Sequence, residues 1–298
     1  MAQKVTLGWM LVAMLALTGC GAGSNGSGGP QTGKLSLQLI DGPVEEAEAV
    51  VVEFHGVSIK PANGSAIDFH YDEPRSFDLL QLQNGAVAPL LDDIELQAGH
   101  YEWIRLMVNS QQNVDDTYIK VAGVKHDLPI PSGDQTGLKL NRGFTITAGG
   151  HSHFTIDFDL RKSVIQNKPQ GYKLKPVLRL VDNVDIGHIG GEVSETVLSD
   201  NNCGVTDTVA ASVYVYPGLD VTPDDIGSTT EPVATSNVVY SAETKKYSYT
   251  VGYLLAGNYT VALTCEAGND HPEDDDSIAF VNPQNATVIR EQHVSVNF

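Results

Sequence analysis

The chain has 298 residues, with 18 Lys and Arg against 37 Asp and Glu, and a formal charge of -19. A surface this acidic repels nucleic acid and anionic lipid headgroups, which need clustered Lys and Arg, and leaves cations and basic partners as the permitted ligands. The excess is uneven: residues 187–298 carry 16 acids against Lys245, Lys246 and Arg290, whereas residues 33–186 carry 21 acids against 14 bases.

The chain opens with Lys4 followed by an apolar run over residues 7–17. That run suits the core of a signal peptide and falls well short of the roughly 20 residues that span a bilayer. Leu17-Thr18-Gly19-Cys20 comes next, small residues ahead of a cysteine, and reads as a lipoprotein signal. Residues 1–19 are then the signal peptide, and Cys20 carries the lipid through which the protein touches a membrane. Gly21 rather than Asp follows Cys20, so in a two-membrane envelope the expected destination is the outer membrane. Residues 20–33 contain no side chain able to anchor a core, and form a flexible tether with a reach of roughly 20 Å.

From Lys34 the pattern is β. Leu35, Leu37 and Leu39 alternate with polar neighbours before Asp41-Gly42-Pro43 breaks the strand, and Val50, Val52 and Phe54 resume the period of two. Residues 77–91 contain the one plausible helical turn, cut short by Asn84-Gly85 and Pro89. Ile104, Leu106 and Val108 mark a strand entered through Gln97-Ala98-Gly99-His100, and Phe154, Ile156 and Phe158 mark another. Pro176-Val177-Leu178-Arg179-Leu180-Val181 predicts a closing strand, and residues 182–188 a connector. Beyond it lie strands at Val213-Tyr214-Val215-Tyr216, at Tyr247, Tyr249 and Val251, and at Val294, Val296 and Phe298, with an acidic loop over residues 220–236. The expectation is an all-β protein of two antiparallel β-sandwich domains, at residues 34–182 and 183–298. Leu96-Gln97-Ala98-Gly99-His100-Tyr101 also echoes Leu254-Leu255-Ala256-Gly257-Asn258-Tyr259, which implies shared turn chemistry.

Several ordered motifs resemble a bacterial lipoprotein family, the domain of unknown function 4382, over about residues 34–182. They are Leu37-Gln38-Leu39-Ile40-Asp41-Gly42-Pro43, Phe77-Asp78-Leu79-Leu80-Gln81-Leu82-Gln83-Asn84-Gly85, Leu96-Gln97-Ala98-Gly99-His100-Tyr101, Ile130-Pro131-Ser132-Gly133-Asp134 with Gly137-Leu138-Lys139-Leu140, Ile156-Asp157-Phe158-Asp159, and Leu174-Lys175-Pro176-Val177. The resemblance implies an exported β domain behind a lipobox, with no established activity. The remainder is similar, through residues 247–259, to small prealbumin-like sandwich modules related to carboxypeptidase regulatory domains. Cys203 and Cys265 depart from that generic module.

With Cys20 assigned to lipid, Cys203 and Cys265 are expected to pair in an oxidising compartment, closing a loop that stabilises by on the order of 4 kcal/mol. No Gly-x-Ser-x-Gly elbow and no His-Glu-x-x-His run occurs, so no catalytic residue is assigned. His151, His153, Asp157 and Asp159 share one face of a strand and offer zinc-type donors, though a solvent-facing edge explains them as well. Asp270, Glu273, Asp274, Asp275 and Asp276 crowd one loop with hard oxygens suited to Ca²⁺; no other cofactor is expected. Tyr214, Tyr216, Tyr247 and Tyr249 suit either a core or a sugar-stacking face. The expected function is a non-catalytic envelope lipoprotein that binds or scaffolds an envelope protein or a glycan. Its rivals are a carbohydrate-binding module and a metal-dependent envelope hydrolase.

Overall fold

Strands with alternating apolar side chains have one face to hide, and here two pairs of sheets hide it. The computed structural model describes residues 31–42, 47–83, 85–108, 116–131, 133–167 and 171–298. In the N-terminal half these form β1 (Thr32–Asp41), β2 (Ala49–Pro61), β3 (Ile67–Asp78), β4 (Ala88–Gln97), β5 (Gly99–Val108), β6 (Tyr118–Val121), β7 (Val124–Asp127), α1 (Gly133–Thr136), β8 (Leu138–Leu140), β9 (Phe144–Ile146), β10 (His151–Phe158), α2 (Leu160–Ser163), β11 (Val164–Asn167), β12 (Gly171–Leu174) and β13 (Leu178–Asp182). The C-terminal half contributes β14 (Ile186–Val193), α3 (Glu195–Asp200), β15 (Ser212–Pro217), β16 (Ala234–Asn237), β17 (Val239–Ser241), β18 (Lys246–Leu255), β19 (Gly257–Thr264), β20 (Val281–Val288) and β21 (His293–Ser295).

The fold is all-β, and the helices amount to one turn or little more. The sheet β13-β10-β1-β4 shares a core with the sheet β7-β6-β2-β5-β8, through Leu35, Leu37 and Leu39 on one side and Phe54, Ile59 and Leu106 on the other. In the C-terminal half β17-β18-β14-β21 packs on β16-β15-β19-β20 around Ile189, Tyr249, Val213 and Val261. A smaller cluster of Ile40, Val181, Ile186 and Tyr253 joins the halves, and residues 31–298 form one compact unit.

Pairing is mixed rather than purely antiparallel. β1 runs parallel to β10, and β14 parallel to β21, while the other pairs are antiparallel. Alternation within a strand cannot report its partner's direction, and a parallel partner needs a long crossover. Here the crossover is nearly the whole of each half. The helical turn expected within residues 77–91 is a single 3-10 turn at Leu79–Leu82, capped by the Asp78 carboxylate accepting from the Leu80 amide. The connector expected over residues 182–188 is shorter, since β14 begins at Ile186.

The echo between the halves extends to the backbone. Thr32 and Gly33 pair with Gln97 and Leu96, as Ile186 and Gly187 pair with Leu255 and Leu254. Gly99 pairs with Ile146, as Gly257 pairs with Val288. The amides of Ala98, Lys34 and Gly149 donate to the carbonyls of Gln31, Gly150 and Thr32; those of Ala256, His188 and Glu291 donate to Asp185, Gln292 and Ile186. Tyr101 donates its hydroxyl to the Gln97 carbonyl and Tyr259 to that of Leu255, each at 2.8 Å. A Cβ on Gly33 would lie 2.3 Å from the Thr147 carbonyl oxygen, and one on Gly187 2.3 Å from that of Ile289, so both positions require glycine. The halves are two versions of one strand framework.

Candidate functional site

β15 is buried on both faces. Val213 and Val215 point into the main core, so the period of two sends Tyr214 and Tyr216 to the opposite face. There the residues covering them come from two acidic loops, over 218–233 and 265–280, through Ile226, Ala267 and Phe280. A buried tyrosine hydroxyl needs an acceptor, and both find one in the loops. Tyr216 donates to the Asp224 carbonyl, and Tyr214 donates to Asp270 Oδ2 at 2.5 Å.

These contacts gather carboxylates from segments some 45 residues apart. Asp225, Asp270 and Asp276 each place an oxygen within 4.8 Å of the others, and Asp224, Asp225 and Asp275 do the same. Asp225 belongs to both groups. It is 0% exposed. Its Oδ2 accepts from the Asp276 amide at 2.6 Å, while its Oδ1 is buried without a hydrogen-bond partner. Asp270 Oδ1 accepts from the Ile226 amide at 3.1 Å, and Asp276 Oδ2 accepts from the His271 amide at 2.7 Å. Burial pushes the Asp225 and Asp270 carboxyls above the usual range, with the Tyr214 hydrogen bond and the Arg161 charge opposing it at Asp270. Gly227 brings the loops together: a Cβ there would meet the Asp274 carbonyl at 2.3 Å, and its φ is +99°.

The cluster is tied to the N-terminal half by Arg161 of α2. Its guanidinium donates to Tyr214 Oη at 2.8 Å, to Ser212 Oγ at 3.2 Å, and to the Ala267 carbonyl and Asn237 Oδ1 at 3.3 Å. Arg161 is buried, and burial lowers its pKa from the ordinary value. Beside it, Lys162 Nζ reaches Glu231 Oε2 at 2.8 Å and the Pro232 carbonyl at 2.7 Å. Asp159 orients the turn by accepting from the Lys162 amide at 3.2 Å.

Of the loop residues expected to bind Ca²⁺, Asp270, Asp275 and Asp276 enter the cluster. Glu273 instead turns to Lys173 at 3.7 Å, and Asp274 supplies its backbone to the Gly227 contact. Asp224 and Asp225 complete the cluster; the expectation drawn from one loop omitted them, although the acidic loop over residues 220–236 was visible. Cys203 and Cys265 are joined by a disulfide. Cys20 lies outside the described residues. The zinc-type set does not assemble: His151 Nε2 sits 2.9 Å from Asp93, Asp157 pairs with Arg179 at 2.5 Å, and Asp159 caps α2. Tyr214, Tyr216, Tyr247 and Tyr249 are all buried, so none forms a sugar-stacking face. Among the described residues no helix is long and apolar enough to cross a membrane.

No curated protein matches the chain. Among solved structures, a leucine-rich repeat protein from Bacteroides thetaiotaomicron is 16% identical, with 90% of this chain and 26% of that one covered, at a TM-score of 0.21. The minor pilin GBS52 of Streptococcus agalactiae is 9% identical, with 88% and 94% covered, at 0.19. A fimbrial protein from Bacteroides ovatus is 8% identical, with 90% and 48% covered, at 0.21. This chain therefore spans about a quarter of the first and half of the last. At such scores these likenesses carry no argument. The family model for the domain of unknown function DUF4382 matches residues 32–176, from β1 through β12, and so includes the turn that presents Arg161. Over those residues, just under half of the chain, the protein is similar to the DUF4382 family.

Proposed function

We propose that the protein is a cell-envelope lipoprotein, held by a lipid on Cys20, that works without catalysis as a binding or scaffolding body. The order of the chain carries the reading. An apolar leader ends at Leu17-Thr18-Gly19-Cys20, a Gly-rich run follows, and the first strand begins at Thr32. The lipid supplies attachment, the Gly-rich run supplies reach, and the two sandwiches supply a body braced internally by Arg161. The strand-face set is committed to structure: His151 and Asp157 pair, His153 stacks on His151, Asp159 caps α2, and the four tyrosines pack. The acidic C-terminal half is the end farther along the chain from the anchor, and its charge favours basic or cationic partners.

Fractionation of cells producing the wild type and Cys20→Ser tests the reading. The wild type should sediment with membranes and incorporate labelled fatty acid, and the variant should appear folded in the soluble fraction. A variant that still sediments in high salt would defeat the anchoring claim.

A further inference from the structure

We propose that Asp224, Asp225, Asp270, Asp275 and Asp276 form a Ca²⁺ site that clamps the two acidic loops together over Tyr214 and Tyr216. Two oxygens on opposite sides of one calcium ion are separated by about twice the 2.3–2.6 Å bond length. The carboxylate oxygens of Asp225, Asp270 and Asp276 all lie within 4.8 Å of one another, as do those of Asp224, Asp225 and Asp275. Either trio can share one ion. Asp225 supplies the independent observation. Its side chain is 0% exposed, it belongs to both trios, and its Oδ1 has no hydrogen-bond partner. A buried carboxylate oxygen without a donor is costly, and a cation bound there satisfies it directly.

The donor set selects the class of ion. Every candidate ligand is a carboxylate oxygen, with no thiolate, and the one nearby imidazole, His271, is turned to Asp276 at 3.1 Å. Hard oxygens on two loops suit Ca²⁺, whose coordination is high and irregular, better than Zn²⁺, which prefers nitrogen and sulfur, or Mg²⁺, which requires a tight octahedron. Asp275 is exposed and Asp224 half-buried, which leaves an open side for entry and for water ligands. Binding would also brace the junction, because Asp270 holds Tyr214 and Tyr214 holds Arg161. This proposal is independent of the lipid anchor.

The test uses the full chain in detergent, stripped with chelator and titrated with CaCl₂ in a calorimeter, with thermal unfolding followed in CaCl₂, MgCl₂ or EDTA. The expected result is a saturable Ca²⁺ isotherm and a melting temperature raised by about 5 °C or more at a hundredfold excess over Kd. Asp225→Asn and Asp276→Asn should each weaken Ca²⁺ binding at least tenfold, and Glu273→Gln should leave it unchanged. Should Asp225→Asn fold poorly, Asp275→Asn at the exposed rim provides the same comparison. No heat and no melting shift in the wild type, unchanged affinity in the cluster variants, or an equal response to MgCl₂ would each overturn the proposal.

Discussion

The two halves use one strand framework and cover it differently. In both, the first strand lies between a parallel strand from late in the half (β10 or β21) and an antiparallel partner, and a tyrosine ties the corner that follows (Tyr101 or Tyr259) to the carbonyl four residues earlier. The N-terminal half then spreads its second sheet widely, adding β3, β6, β7, β8 and β9 around β2 and β5. The C-terminal half keeps two four-stranded sheets. It adds the Cys203–Cys265 bond and folds two acidic loops over the outer face of β15. A smaller core buries less apolar surface for each residue it orders, and a covalent staple offsets part of that deficit. The strand frame sets the pairing, while each half finds its own means of closing the remainder.

Removing the staple should have the largest effect. Cys203→Ser with Cys265→Ser opens a loop of 62 residues in sequence and should cost about 4 kcal/mol. In urea the C-terminal probes such as Tyr249 should then unfold at a lower midpoint than the N-terminal half, splitting the transition; equal loss in both halves would show that the junction at Arg161 still makes them unfold as one.

Arg161→Met tests the junction next. It leaves Asp270 with a buried charge and no guanidinium nearby, and should cost about 3 kcal/mol, the lower end for breaking a buried pair. Two separable unfolding transitions should replace one in a denaturant titration read by near-UV circular dichroism. Retention of a single transition at the wild-type midpoint would show that the cluster of Ile40, Val181, Ile186 and Tyr253 holds the halves unaided.

Asp159 offers a pH test in the turn that carries Arg161. Burial, opposed by Lys162 and reinforced by Asp157, pushes its carboxyl from 3.8 up to about 6. The folded state therefore holds this proton more tightly than the unfolded state, and its contribution to stability falls as pH rises from about 4 to 6. Asp159→Asn keeps a capping side chain and cannot ionise. It should flatten the stability profile across that window and gain about 2 kcal/mol at pH 7, measured by urea midpoints at pH 4 and pH 7. A variant that is less stable at both values would mean that the ionised cap outweighs its burial.

The smallest effect sharpens the likeness between the halves. Tyr101→Phe and Tyr259→Phe each delete one hydroxyl bonded at 2.8 Å to an equivalent carbonyl, and each should cost about 1 kcal/mol. Chemical denaturation of the two variants should give losses within a few tenths of each other. A large disparity would show that the corners bear different loads.

Alternation alone determined the strands at Leu35–Leu39, Phe154–Phe158 and Tyr247–Val251, and with them the all-β class, because side-chain period is a local property of extended chain. The echo at Leu96-Gln97-Ala98-Gly99-His100-Tyr101 was also visible, though only as a turn. β3 left little periodic signal, since its side chains are mostly exposed and it is held by its hydrogen bonds to β2. Tertiary structure decided the rest. The parallel pairing of β1 with β10 and of β14 with β21 depends on partners more than a hundred residues apart, and no local pattern encodes it. Val213-Tyr214-Val215-Tyr216 has two faces able to be buried, so only the loops covering the tyrosines settle what the second face does. Those same loops bring Asp224 and Asp225 to Asp270, Asp275 and Asp276. The acidic excess near the end of the chain was plain from composition; its convergence around one buried carboxylate required the fold.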